Sequence, residues 1–476
     1  MSFIFYDVLF LVLFVIAASV FLNSRKKNLK KEGLLILYKA SWGIKLINYV
    51  GKKSAKTFKV LSYISITIGY LLMAGIIYMI GKIVYIYGTM PAVVQAIKIP
   101  PIIPLVPYLP EIFKLDFLPP FYFTYWILII AIIAITHEFA HGIFAAYNKI
   151  KIKSTGFGFF PFFLPIFLAA FVELDEKRMA KKSNFSQMAI LSAGTFANVL
   201  TAILFFALIW VFFIFAFTPS GVIFDNYPYS VVELAGISMV NGVSLDGSTY
   251  ERILELSNEE GFNKIKANNQ SYMIMKSDLE KQENNDGNLI LYYDAPAINS
   301  NLGSIILKIN NVEMKNIETL QKELLKYSPG EKITINTIDK DGEDFDLDLV
   351  LGENPSNKNL PWLGVGFTAP QNSRTLGKVY STLAFKDPHI YYESKLGDFG
   401  GFIYNLLWWV VLISLSVALI NMLPVGIFDG GRFFYLTVLA ITKNEKISKR
   451  LFSFSTYFIL FLFLLLMVFW AKSLFF

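Results

Sequence analysis

The chain has no cysteine and only three histidines among its 476 residues. Without cysteine there are no disulfides, no thiolate metal ligands and no thiol nucleophile, so a metal site here has to use histidine and carboxylates. Charge is also scarce. Asp, Glu, Lys and Arg together make up 17% of the chain, whereas hydrophobic residues make up 55% and aromatics 16%. That balance excludes an ordinary soluble enzyme and fits a polytopic membrane protein. The net charge of +7 does not point to nucleic acid. The basic residues gather in short segments between apolar runs, and no basic stripe with interleaved aromatics is present.

The first apolar run, Phe3 to Leu22, lacks a basic leader and a small-residue cleavage site, so it reads as an uncleaved helix. Five further spans are expected at about Leu61–Tyr87, Tyr125–Tyr147, Met188–Phe217, Phe402–Leu423 and Leu451–Trp470. Lysines and arginines cluster at Arg25 to Lys59, Lys149 to Lys153, Lys177 to Lys182 and Lys443 to Arg450. Tracing six spans places every cluster on one side, the cytoplasmic side by the positive-inside rule. The expected organisation is residues 1–87 as two N-terminal helices around a basic loop, and 88–121 as an outer loop extended by Pro100, Pro101 and Pro104. Residues 122–217 and 401–476 form the membrane core, and 218–400 are polar and long enough for a folded domain outside the membrane. The stretch from Gly156-Phe157-Gly158 to Val172 is apolar but interrupted by glycine and proline. It reads as a β-hairpin that enters the membrane and returns, with an interfacial loop as the alternative.

Inside the third span lies His137-Glu138-Phe139-Ala140-His141. Histidines four apart share one face of a helix and can hold one zinc ion, with the glutamate beside them as general base. Ionisable groups at membrane depth are costly and so mark function, although a satisfied polar cluster would also account for them. Catalytic zinc takes three protein ligands and one open position. Asp429, in Asn421-Met422-Leu423-Pro424-Val425-Gly426-Ile427-Phe428-Asp429-Gly430, is the candidate third ligand, since Pro424 and the glycines permit a broken helix. Alone, an Asp-Gly pair at a helix end is also a turn signal. Gly194 and Asn198, four apart, share a helix face. An asparagine there could donate to an oxyanion or hold two helices together, and Asn421 has the same two readings.

An H-E-x-x-H in a membrane span, followed far downstream by N-x-x-P-x-x-x-x-D-G, resembles the site-2 protease family of intramembrane zinc metallopeptidases, prokaryotic type. The resemblance runs from about Pro100 to Arg450. It implies one zinc ion per chain on His137, His141 and Asp429, with Glu138 activating water. It implies substrate contacts at Asn198 and Asn421, and a re-entrant hairpin whose Gly156, Phe157 and Gly158 help to hold an unwound substrate by strand addition. The implied substrates are membrane proteins with a transmembrane helix, often trimmed first by another protease, cut in regulated intramembrane proteolysis. The implied setting is a multi-pass protein of the cell membrane with its active site towards the cytoplasm.

In the outer region, Ala295-Pro296-Ala297 and Gly303 to Val312 resemble a PDZ domain at about 290–370, with a helix at Thr319–Tyr327, a strand at Glu331–Ile338 and a tight turn at Asn310-Asn311. Trp362-Leu363-Gly364-Val365 resembles a carboxylate-binding loop at the end of that domain, which implies a circularly permuted order. The stretch from Gly221 to Leu289 has no assignment. The expected fold is therefore a polytopic α-helical membrane protein of six spans with a re-entrant β-hairpin and an inserted extracytoplasmic α/β PDZ-like domain. Two rivals stand beside the resemblance: a zinc peptidase of another family cutting at the membrane surface, and a non-catalytic membrane binding module. His389 stands alone and reads as a surface residue.

Overall fold

A computed structural model describes the chain apart from residues 1–2, 33–34, 91–93, 95–99, 102, 104, 114, 116–117, 160–168, 246, 248, 283–286, 340–341, 369–384 and 476. Its principal helices are α1 Phe3–Ser24, α2 Ile44–Lys53, α3 Ala55–Thr89, α4 Phe123–Tyr147, α5 Asn184–Ala216, α6 Asp398–Asn421, α7 Asp429–Thr442 and α8 Glu445–Phe475. All but α2 and α7 are long and apolar enough to cross a membrane, six among the described residues. These six fall on the six apolar runs. The chain divides into two compact units, Met1–Phe213 with Gly401–Phe476, and Ile214–Gly400.

In the first unit α4 buries a stripe of Tyr125, Ile129, Ile133, His137, His141 and Ala145. Each is four residues from the next, the spacing that keeps side chains on one helical face. The two histidines therefore continue the packed face and do not point to the outside of the bundle. Helix α5 is buried almost all round from Gln187 to Asn198, as a helix apolar on every side must be. It packs through Ala189, Ile190 and Ala193 in one core with Phe144 and Ala145 of α4 and Phe433 of α7.

The N-terminus of α4 is capped from another helix. Its own N-cap residue, Tyr122, supplies no side-chain bond. Asp7 of α1, 1% exposed, does so instead. Its carboxylate accepts from the backbone N–H groups of Phe123 and Thr124, both at 2.9 Å, from the Thr124 hydroxyl at 2.7 Å and from the Tyr108 hydroxyl at 2.6 Å. A buried carboxylate is tolerable only with such partners, and the helix dipole adds to the attraction. Asp7→Ala leaves buried donors unpaired and is expected to destabilise the protein by about 2–4 kcal/mol, with Asp7→Asn milder because it keeps an acceptor. Thermal unfolding of the purified protein checks this; equal midpoints for wild type and Asp7→Ala would contradict it.

The same unit holds a four-stranded antiparallel sheet in the order β1-β2-β3-β4, with β1 Leu29–Glu32, β2 Leu35–Ala40, β3 Ile152–Phe159 and β4 Ala169–Leu174. Strands β3 and β4 are the arms of the hairpin expected from sequence, and its tip at 160–168 lies outside the described residues. Strand β2 was not expected. It lies in the lysine-rich segment and takes β3 as its partner, with Tyr38 opposite Phe157 and Lys39 opposite Gly156. Lys39 Nζ and Ser154 Oγ both donate to Glu173 Oε2, at 3.0 and 2.6 Å, and so tie three strands together. Gly156, Phe157 and Gly158 thus sit on an inner strand with both edges paired. The edge strands of this sheet among the described residues are β1 and β4, and it is β4 that lies beside Glu138.

The second unit contains β5 Phe217–Ile223, β6 Tyr229–Glu233, β7 Ile237–Val240, β8 Val243–Ser244, β9 Phe262–Ala267, β10 Gln270–Met275, β11 Asn288–Tyr293, β12 Ile305–Ile309, β13 Val312–Glu313, β14 Lys332–Ile338, β15 Asp344–Val350, β16 Gly352–Asn354, β17 Asn357–Trp362 and β18 Ile390–Ser394. One sheet runs β6-β11-β10-β9-β7-β8 and a second runs β15-β14-β12-β5-β18, with β13 on β12. Each has its own core, around Ile253, Ile265 and Leu291 in the first and around Ile306, Leu320 and Ile335 in the second.

The unassigned stretch from Gly221 to Leu289 thus supplies most of the first sheet. The two sheets also share a local plan that sequence reading missed. Val240-Asn241-Gly242-Val243 and Ile309-Asn310-Asn311-Val312 each form a tight hairpin with both turn residues at positive φ. In each, the first turn asparagine donates its backbone N–H to a strand carbonyl and accepts from the same residue's N–H: Asn241 with Lys264, and Asn310 with Thr334. A short capped helix follows in both, Tyr250–Glu255 and Ile317–Leu324. The repeated N-G and N-N turns were the available signal.

His389 is a correction. It is buried, not a surface residue, because its Nε2 lies 3.0 Å from the Thr368 carbonyl oxygen and its ring meets the edge of Phe367.

Candidate metal centre

Three elements bring the donors together. Helix α4 presents His137 and His141 one turn apart, with their Nε2 atoms 3.0 Å from each other. Asp429 Oδ2 lies 3.4 Å from His137 Nε2 and 3.2 Å from His141 Nε2. Among the described residues these three form the group whose ligand atoms lie close enough for one metal ion. His389 does not belong to it.

Asp429 reaches the histidines because α6 stops. Pro424 has no N–H to continue a helix, and the chain turns from Asn421 to Phe428 before α7 begins at Asp429. A side chain at Gly430 would collide with the Met422 backbone and come within 2.5 Å of the Leu423 carbonyl oxygen. Glycine therefore lets α7 fold back against the turn. Arg432, one turn further on, donates to Glu176 at 2.7 Å and to Gln187 at 3.3 Å, which pins the start of α7 to the start of α5.

Helix α5 forms the floor. Gly194 faces the ligating nitrogens so closely that a Cβ there would collide with His141 Nε2 and lie 2.5 Å from His137 Nε2. Only glycine leaves room for an ion. The second ring nitrogens also turn to α5: His141 Nδ1 lies 2.7 Å from the Ile190 carbonyl oxygen, and His137 Nδ1 lies 3.0 Å from Asn198 Nδ2. Such partners fix the ring orientation of metal-binding histidines. The Ile190 carbonyl belongs to the backbone, so no sequence pattern could have named it.

Glu138 stands beside the donors but does not join them. Its Oε2 accepts the backbone N–H of Val172 on β4 at 2.9 Å. A cavity of 380 Å³ is lined by His137, Glu138, Asp429, Asn421 and the β4 residues Ala169 and Ala170. Of the two asparagines singled out from sequence, Asn421 reaches this cavity and Asn198 is fully buried behind His137.

Two imidazoles and one carboxylate, with space kept clear by Gly194, suit a zinc ion that retains an open position. The sequence model of peptidase family M50 matches residues 125–466, a range that takes in every donor and Glu138. No curated protein matches the chain.

Proposed function

The chain belongs to peptidase family M50, the site-2 protease family of membrane metallopeptidases, and from that premise we propose that it is a zinc endopeptidase cutting transmembrane segments within the bilayer. The observation that carries the reading is the convergence of His137, His141 and Asp429 beside Glu138, on helices that are themselves long and apolar enough to span a membrane or directly follow one.

A bound zinc ion would sit on the three donors, lower the pKa of water and polarise the scissile carbonyl. Glu138 takes the proton of the attacking water and passes it to the leaving amine. In this reading Asn421, which lines the cavity, donates to the oxyanion. A substrate helix has its carbonyls in internal hydrogen bonds and must unwind before it can be cut. The outer edge of β4, next to Glu138, is the surface on which the unwound stretch pairs. In this reading β3 and β4 re-enter the membrane, the active site opens towards the cytoplasm, and the second unit is extracytoplasmic, with a PDZ-like module at about 290–370. Substrates are single-span segments released by an earlier cut, as in regulated intramembrane proteolysis.

The test is zinc content and cleavage of a single-span test substrate by purified protein. One zinc per chain, cleavage lost to a chelator and regained with zinc, and neither zinc nor cleavage in Asp429→Ala are expected. Cleavage that persists in Asp429→Ala would sink the reading. Zinc held without cleavage of any spanning substrate would favour the binding-module rival.

A further inference from the structure

The two histidines are not supported alike. His141 Nδ1 faces the Ile190 carbonyl oxygen at 2.7 Å, a group that can only accept. Its Nδ1 therefore carries the hydrogen, and the Nε2 lone pair is free for a metal ion. His137 Nδ1 faces the side-chain amide of Asn198 at 3.0 Å, and Asn198 is fully buried. An amide meets the ring either with its nitrogen, which leaves the His137 hydrogen on Nε2 and closes that atom to a metal ion, or with its oxygen, which holds the hydrogen on Nδ1 and leaves Nε2 open.

We propose that Asn198 is a positioning residue that sets the tautomer of His137 by offering its amide oxygen to Nδ1. His137 then donates from Nδ1 and keeps Nε2 free for the ion. A cation on Nε2 polarises the imidazole and strengthens that bond, which favours the amide oxygen at this contact. Gly194 and Asn198, one turn apart on α5, then divide the work. The first leaves space for the ion and the second orients a ligand. This differs from a substrate-contacting role, and the position of Asn198 off the cavity wall agrees with it.

The proposal rests on the reading of the three donors as a metal site, and the experiment separates the two. Zinc affinity of the purified full-length protein is measured by chelator competition for wild type, Asn198→Leu and Asn198→Asp, with cleavage measured at saturating zinc. Leucine removes the acceptor and is expected to weaken zinc binding about 10–100-fold. Aspartate keeps an acceptor for Nδ1–H and is expected to bind at least as tightly as wild type, with kcat within a few-fold of it. Leucine binding as tightly as wild type overturns the proposal and leaves the metal site standing. Wild type that binds no zinc overturns both. Should the leucine variant fail to fold, aspartate decides alone: normal zinc affinity with kcat down about 10²–10³-fold would place the amide on the reacting atoms and overturn the positioning role.

Discussion

Glu138→Gln is expected to give a folded, zinc-loaded protein whose cleavage rate falls by about 10²–10⁴-fold, the usual worth of a positioned general base. Two features make this substitution clean. Glu138 is not one of the converging donors, so the ligand set is untouched. Its one described hydrogen bond is received from the Val172 N–H, and a glutamine oxygen can receive the same bond, so the contact between α4 and β4 persists. What disappears is the capacity to take a proton. Zinc per chain and kcat on a single-span substrate, measured side by side, check the two halves. A variant that keeps full activity would remove Glu138 from the mechanism. One that loses zinc as well would mean that the residue supports the site in a way the structure does not show.

Gly194→Ala is expected to abolish zinc binding, lowering affinity by at least about 100-fold, while the chain still folds. The added methyl would occupy the space between the ligating nitrogens, colliding with His141 Nε2 and lying 2.5 Å from His137 Nε2. Helix α5 cannot retreat to make room, because Ala193 and Thr195 on either side are fully buried. Overpacking costs about 1–3 kcal/mol. Alanine recovers up to about 1 kcal/mol by its better helix propensity. The net loss is small enough to survive, so the metal is lost before the fold. The control is Gly81→Ala on α3, where an added methyl meets nothing within 4 Å; it should leave zinc affinity unchanged and leave stability unchanged or raise it by up to about 1 kcal/mol. Normal zinc affinity in Gly194→Ala would show that α5 is not the floor of the site.

Much of this was legible in the sequence because the chemistry demands particular residue types at fixed spacings. Two histidines flanking a glutamate must recur at one helical turn, and a third ligand must interrupt an apolar segment, as Asp429 does after Pro424. The six spans were legible because a bilayer needs about 20 apolar residues in a row. What escaped has a common cause: it depends on partners far away in the chain. Leu35–Ala40 is a short stretch among lysines that pairs with its neighbour β1 on one side and, on the other, with β3, more than a hundred residues later. Asp7 is one polar residue in an apolar run that sequence reading passed over, and its meaning lies in the backbone of Phe123 and Thr124. His389 looked exposed because nothing near it in sequence announces Phe367 and Thr368 as its cover. Asn198 was noticed, but its neighbour His137 was not readable from a spacing within α5 alone.

The bond between Glu138 and Val172 has a consequence for timing. Alternate residues of a strand present their N–H groups to the same edge, so the edge of β4 that holds Glu138 is also the one a further strand would join. A strand laid there must take the Val172 N–H for its own carbonyl, and Glu138 must let go. Seating of the peptide and release of the base are then a single exchange, with one hydrogen bond given up for one gained. Before that exchange one carboxylate oxygen, Oε2, is engaged, and Oε1 is left to accept a proton from water. If substrates pair with β4 in this way, a passing helix that stays wound offers no free carbonyl to Val172, and Glu138 then keeps its bond to β4.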